Sequence, residues 1–225
     1  MCDSYNNKAD LLIDYIESCM SYLGISSAFF EQHINNILWK YIINPSTDLA
    51  MPQRMRSVIK LREQRAAFIK EYSWAIPSQE ALSVISQYSP LIEIGAGTGY
   101  WCKLLQDAEV DIVAYDSKPP CKGYNVFHNT TTHTKVQKGG PPIIKQVSRE
   151  RTLFLCWPPY GSDMAFQCLA NYRGRYLIYI GEGYGGCTAN DIFHEKLEEE
   201  WREIECIDIP QWLYIHDRLI VYERK

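Results

Sequence analysis

Apolar residues along the first part of the chain recur every three or four positions. Leu11, Leu12, Tyr15, Ile16, Cys19, Tyr22 and Leu23 share one helical face before Gly24, and Phe29, Ile34, Ile37, Leu38 and Tyr41 share another before the Asn44-Pro45 break. A third helix is predicted over about 52–72, with Met55, Val58, Ile59, Arg62 and Phe68 set among charges. A fourth follows Pro77, where Ser78 is placed to cap it. Residues 1–76 thus read as a helical cap or flank, and 77–225 as the main domain.

From Leu91 the period changes. Short apolar runs of strand length at 91–94, 112–115, 153–156 and 176–180 alternate with helical stretches at 100–108, 162–171 and 188–203, the signature of a parallel sheet. The last helix opens with Thr188-Ala189-Asn190-Asp191, close to a capping box. Between 117 and 150 the pattern is weak, and a third strand is placed near 134–137. Two further runs, 206–209 and 219–222, are joined by a link too short for a crossover helix, so they form an antiparallel hairpin. The fold expected is α/β: a parallel sheet ending in that hairpin.

The chemistry concentrates in the turns after these strands. Glu93-Ile94-Gly95-Ala96-Gly97-Thr98-Gly99 is a glycine loop between a strand and a helix, where a ligand can approach the backbone closely. A dinucleotide fingerprint has glycines at its first, third and sixth positions, but counting from Gly95 the sixth is Tyr100, which weakens a nicotinamide reading. Seventeen positions after Gly99, Asp116 ends the second strand, where a carboxylate can accept both ribose hydroxyls.

An acidic residue followed by alternating glycines resembles motif I of the class I S-adenosylmethionine-dependent methyltransferases, whose fold also ends in an antiparallel hairpin. The resemblance implies that Glu93 helps to position the cationic amino-acid end of S-adenosylmethionine. It makes Gly95, Ala96, Gly97, Thr98, Gly99, Tyr100 and Asp116 the rest of the cofactor site. Further along, Cys156-Trp157-Pro158-Pro159-Tyr160 resembles the Asn/Asp-Pro-Pro-Tyr motif of amino-nitrogen methyltransferases. In that family the first polar side chain and a backbone carbonyl hold the target amine, and the aromatic ring packs on its plane. Trp157 stands at the polar position, and an indole cannot accept a hydrogen bond from an amine. The expected acceptor wall is Trp157, Pro158, Pro159 and Tyr160. Glu182, in Gly181-Glu182-Gly183-Tyr184-Gly185-Gly186, either orients a substrate amine or hydroxyl or stands in solvent.

Other candidates carry less. His194 and His216 are possible bases, though each reads as structural. Cys121, His128 and His133 lack zinc-finger spacing. The run Tyr72-Ser73-Trp74-Ala75-Ile76 lines the pocket or packs in the core. A net charge of −4 supplies no field for a phosphate backbone, and a stripe of Arg54, Arg56, Lys60, Arg62 and Arg65 reads as a solvated helix face. Eight scattered cysteines read as free thiols, and no apolar run reaches membrane-spanning length, so a cytoplasmic protein without membrane contact is expected. The methyl acceptor stays open among small molecule, protein and RNA, and no motif specifies an oligomeric state. The competing reading is a non-catalytic binding module that keeps the fold, with an NAD-dependent enzyme behind it.

Overall fold

The computed structural model describes residues 65–120, 125, 127–147, 149–212 and 215–225. The first two expected helices, most of the third and the basic stripe apart from Arg65 lie outside the described residues. By its internal contacts the chain divides after Phe68, and the unit Ile69–Lys225 holds every element that follows.

In chain order these elements are α1 (Gln79–Ser86), β1 (Leu91–Ile94), α2 (Tyr100–Asp107), β2 (Ile112–Asp116), β3 (Val136–Lys138), a 3-10 helix (Pro141–Gln146), β4 (Thr152–Cys156), α3 (Met164–Asn171), β5 (Tyr176–Gly181), α4 (Asp191–Glu200), β6 (Trp201–Asp208) and β7 (Arg218–Arg224). Helix starts follow from capping. The Ser78 hydroxyl accepts the Ala81 N–H at 3.1 Å, and the Asn190 side chain accepts the Phe193 N–H at 3.1 Å, so each satisfies a donor that the first helical turn leaves free.

All seven strands join one sheet in the order β3-β2-β1-β4-β5-β7-β6. The first five named are parallel, and β7 runs antiparallel to both β5 and β6. Every residue of β1 is buried and nearly every one of β4 and β5, as expected where helices cover both faces of a parallel sheet. One layer of core sets Ile92, Ile94, Leu153, Leu155, Leu177 and Tyr179 against Ala165, Cys168 and Leu169 of α3 and Phe193 and Leu197 of α4. Alternation along β1 puts Leu91 and Glu93 on the opposite face. Truncating a fully buried leucine such as Leu153 is expected to cost about 2–5 kcal/mol.

The largest boundary difference from the sequence reading falls after α4. The last helix stops at Glu200, not 203, and the strand after it begins at Trp201, not 206. The cause is the Trp201 indole, 2% exposed, which stacks on Tyr172 at 6.0 Å with the Arg224 guanidinium 4.3 Å from its centroid. Extended backbone at Trp201, paired with Arg224, buries that ring. The charged residues Arg202, Glu203 and Glu205 that continue the helical pattern instead line an exposed edge strand, where charge discourages further strand pairing.

Candidate cofactor and acceptor site

Parallel strands deliver their carboxyl ends to one side of the sheet. In this order the connections run from β1 toward β2 and β3 on one hand and from β4 toward β5 on the other, so a crevice opens between β1 and β4. The glycine loop 95–99 leaves β1 there and leads into α2. Gly95, Gly97 and Gly99 all have positive φ, at 80°, 54° and 73°. At Gly97 the need for glycine is twofold: the left-handed conformation, and the His128 ring, whose Nε2 an added Cβ would clash with.

Two carboxylates meet at this loop. Asp116, at the end of β2, accepts the Gly97 N–H on Oδ2 at 3.0 Å and the Lys118 N–H on Oδ1 at 2.7 Å. Glu93 is 2% exposed, and among the described residues its Oε2 has no hydrogen-bond partner. Burial, and then the nearby charge of Asp116, push the Glu93 pKa up to about 8. A buried carboxyl without a partner is costly, so it marks a place where a complementary group is wanted. Neighbouring thiols do not answer it: burial and the charge of Glu93 raise the pKa values of Cys102 and Cys156, leaving both as neutral packing groups.

A wall of chain from 69 to 75 stitches the loop in place. The Thr98 hydroxyl donates to the Tyr72 carbonyl, and the His133 N–H donates to the Thr98 carbonyl at 2.9 Å. Tyr72 packs edge-on to Tyr100 at 5.1 Å and stacks on His133 at 5.3 Å. Of Cys121, His128 and His133, Cys121 lies outside the described residues. His128 and His133 each spend one ring nitrogen on a backbone carbonyl, of Ile69 at 2.9 Å and of Glu71 at 2.8 Å. No group of three metal-ligating side chains occurs among the described residues.

The other side of the crevice is built differently. Trp157 follows β4 with φ 53°, a conformation that a bulky side chain adopts only when its surroundings enforce it. Three contacts do so: its N–H donates to the Ile180 carbonyl at 2.8 Å, its indole N–H donates to Asp217 Oδ2 at 2.7 Å, and its ring stacks on Trp74 at 4.7 Å. Trp74 is held in turn by the Trp212 indole, which donates to its carbonyl at 2.8 Å. The Pro158 carbonyl accepts the Ala189 N–H at 2.8 Å, Pro159 bridges to Thr188, and the Tyr160 ring is exposed.

Glu182 is not in solvent. It is 8% exposed, with Oε2 accepting the Cys187 N–H at 2.7 Å and Oε1 accepting the His216 N–H at 2.8 Å. Burial alone would raise its pKa, but the bonds from Cys187 and His216 outweigh that and lower it. His194 donates its Nε2–H to the Thr188 carbonyl at 3.1 Å. The structure thus puts Glu93, the glycine loop, Tyr100 and Asp116 at the ends of β1 and β2, and Trp157, Pro158, Pro159, Tyr160 and Glu182 at the ends of β4 and β5. The sequence reading missed His128 as a neighbour of Gly97 and Asp217 as the partner of Trp157. Neither pair has a local spacing that could announce it, being 31 and 60 positions apart.

No protein-family model and no curated protein matches the chain. Among solved structures, magnesium protoporphyrin IX methyltransferase from Synechocystis PCC 6803 with bound SAM is similar at 12% identity, over 90% of this chain and 97% of that chain, with a TM-score of 0.42. An rRNA methylase from Streptococcus thermophilus is similar at 12% identity over 64% and 93%, with a TM-score of 0.40. An uncharacterized protein from Listeria monocytogenes serotype 4b is similar at 11% over 65% and 66%, with a TM-score of 0.41. These likenesses are remote, and the fold assignment rests on the strand order of the chain itself. Five parallel strands in the order 3-2-1-4-5, a seventh strand inserted antiparallel before the sixth, and a glycine loop after the first give the chain the Rossmann-like architecture of the class I S-adenosylmethionine-dependent methyltransferase superfamily.

Proposed function

We propose that the chain binds S-adenosylmethionine and transfers its methyl group to an acceptor. The observation that carries this reading is the pair of carboxylates, Glu93 and Asp116, at a glycine loop with positive φ. That pair suits a ligand bearing ribose hydroxyls for Asp116 and an ammonium that draws the proton off Glu93 as it binds. The NAD reading is weaker on the register of the glycines, with Tyr100 where a dinucleotide loop has its third glycine.

In this reading the residues already in place fit the cofactor. Glu93 takes the cationic amino-acid end, the backbone of Gly95, Ala96, Gly97, Thr98 and Gly99 admits the ligand to close range, Tyr100 packs at the rim, and Asp116 accepts ribose hydroxyls. When bound, the cofactor supplies an electrophilic methyl on sulfur. The chain's own task is to align an acceptor in line with it, and alignment is worth several orders of magnitude in rate. Trp157, Pro158 and Pro159 form a rigid apolar wall for that acceptor, Tyr160 supplies an exposed ring, and Glu182 acts by holding the 182–187 loop against the hairpin link. Amino-nitrogen transfer on the Asn-Pro-Pro-Tyr pattern is disfavoured twice. The indole of Trp157 is a donor already committed to Asp217, and the Pro158 carbonyl already accepts an N–H.

That same self-satisfied acceptor side favours the second reading, a module that binds the cofactor or a partner without transferring methyl. Calorimetry with S-adenosylmethionine, S-adenosylhomocysteine and NAD tests the donor site: binding of neither of the first two sinks both the enzyme and its cofactor. Radiolabelled S-adenosylmethionine incubated with a fractionated lysate then separates enzyme from module. Incorporation must depend on the purified protein, and a signal that survives substitution of Asp116 and Gly97 belongs to a contaminant.

A further inference from the structure

Resting on the reading of the 95–99 loop as a methyl-donor site, we propose that His128 is a further binding residue there, its Nε2 accepting a ligand hydroxyl beside Asp116. The tautomer follows from geometry. Nδ1 lies 2.9 Å from the Ile69 carbonyl, which can only accept, so Nδ1 carries the proton and a neutral ring presents Nε2 as an acceptor. Burial lowers the His128 pKa against the opposing pulls of the Ile69 carbonyl and Asp116, which keeps that lone pair available at neutral pH.

The ring is also held in position from both sides. Asn125 Oδ1 accepts the N–H groups of Phe127 and His128 at 2.9 and 3.2 Å, and the Asn129 N–H donates to the Lys70 carbonyl at 3.0 Å. Among the described residues Nε2 has no hydrogen-bond partner, and it faces Gly97 closely enough that any larger residue there would displace it. Asp116, whose N–H partner Gly97 is the same residue, has each carboxylate oxygen already engaged once by a backbone N–H. A vicinal diol brings two O–H donors, and His128 adds an acceptor where Asp116 is partly spent. The ligand chemistry implied is a nucleoside ribose with both hydroxyls present.

The test is calorimetric titration of the full chain with S-adenosylhomocysteine and with analogues lacking one ribose hydroxyl. His128→Asn keeps a donor in reach of the Ile69 carbonyl but removes Nε2; it is expected to bind the intact ligand about three- to tenfold more weakly. It should also lose the discrimination against one deoxy analogue. His128→Gln, whose amide oxygen reaches toward the Nε2 position, should recover part of both. His128→Leu, which fills the volume without an acceptor, replaces His128→Asn if that variant does not fold. Unchanged affinity with unchanged discrimination overturns the proposal. So does tighter binding, which would make the imidazole an obstruction over Gly97. If the unsubstituted protein binds neither S-adenosylmethionine nor S-adenosylhomocysteine, the donor-site reading itself falls and this proposal with it.

Discussion

The two banks of the crevice spend their polar groups in opposite ways. On the β1/β2 bank a buried carboxylate oxygen of Glu93 has no partner among the described residues, and Asp116 holds backbone N–H groups with capacity to spare. On the β4/β5 bank the Trp157 indole, the Pro158 carbonyl and both oxygens of Glu182 are matched within the chain. An unmet group costs stability until a ligand meets it, whereas a met group contributes stability now and leaves less for recognition. In the proposed reading the first bank binds and the second holds shape.

Substitutions can break that contrast. The largest effect is expected from Glu182→Ala, which strands the Cys187 and His216 N–H groups. Denaturant unfolding should show a loss of about 2–4 kcal/mol, and a loss under 1 kcal/mol would mean that Glu182 is not the staple described. Gly97→Val forces a β-branched residue into positive φ and against His128, and calorimetry should show S-adenosylhomocysteine affinity falling on the order of a hundredfold.

Glu93→Gln should act in opposite directions on stability and binding. The folded pKa of about 8 lies above the unfolded value, so the native state holds a proton that the unfolded state gives up between those values. Stability from this group is full at acid pH and falls as pH rises toward 8. The Gln variant avoids that loss and should be more stable near neutrality by on the order of 2–3 kcal/mol, while binding the cofactor far more weakly. A cationic ligand favours ionised Glu93, so the unsubstituted protein should release a proton on binding at pH 7, seen as a buffer-dependent heat, and bind more tightly as pH rises to 8. Absence of any buffer dependence would remove Glu93 from the ligand's reach. The smallest effect belongs to Tyr160→Ala, whose ring is exposed: stability should change by less than about 0.5 kcal/mol and donor affinity not at all.

How legible each bank was in the sequence follows the same division. Strands β1, β2, β4 and β5 declared themselves as short apolar runs because both faces are covered, and residues at their ends came with them, so Glu93 and Asp116 could be placed by counting. The contacts of Trp157, Glu182 and His128 reach across connections whose course no periodicity records. The stretch between β2 and β3 contains no α-helix or strand among its described residues, and its hydrogen bonds to the rest of the chain include those to 69–71, to Thr98 and to Gln106. At Trp201 the charge pattern continued to read as helix, and a single large ring decided otherwise.

The stitching of the glycine loop to the helical turn and extended chain before α1 sets where this chain can be cut. Ile69, Lys70, Glu71 and Tyr72 offer their carbonyls to His128, Asn129, His133 and Thr98, and Trp74 backs Trp157. A fragment begun at Pro77 would keep every strand yet strip the outer lining of both banks. Anyone grafting or minimising this domain should therefore treat the eight residues 69–76 as part of the working unit rather than as a leader to it.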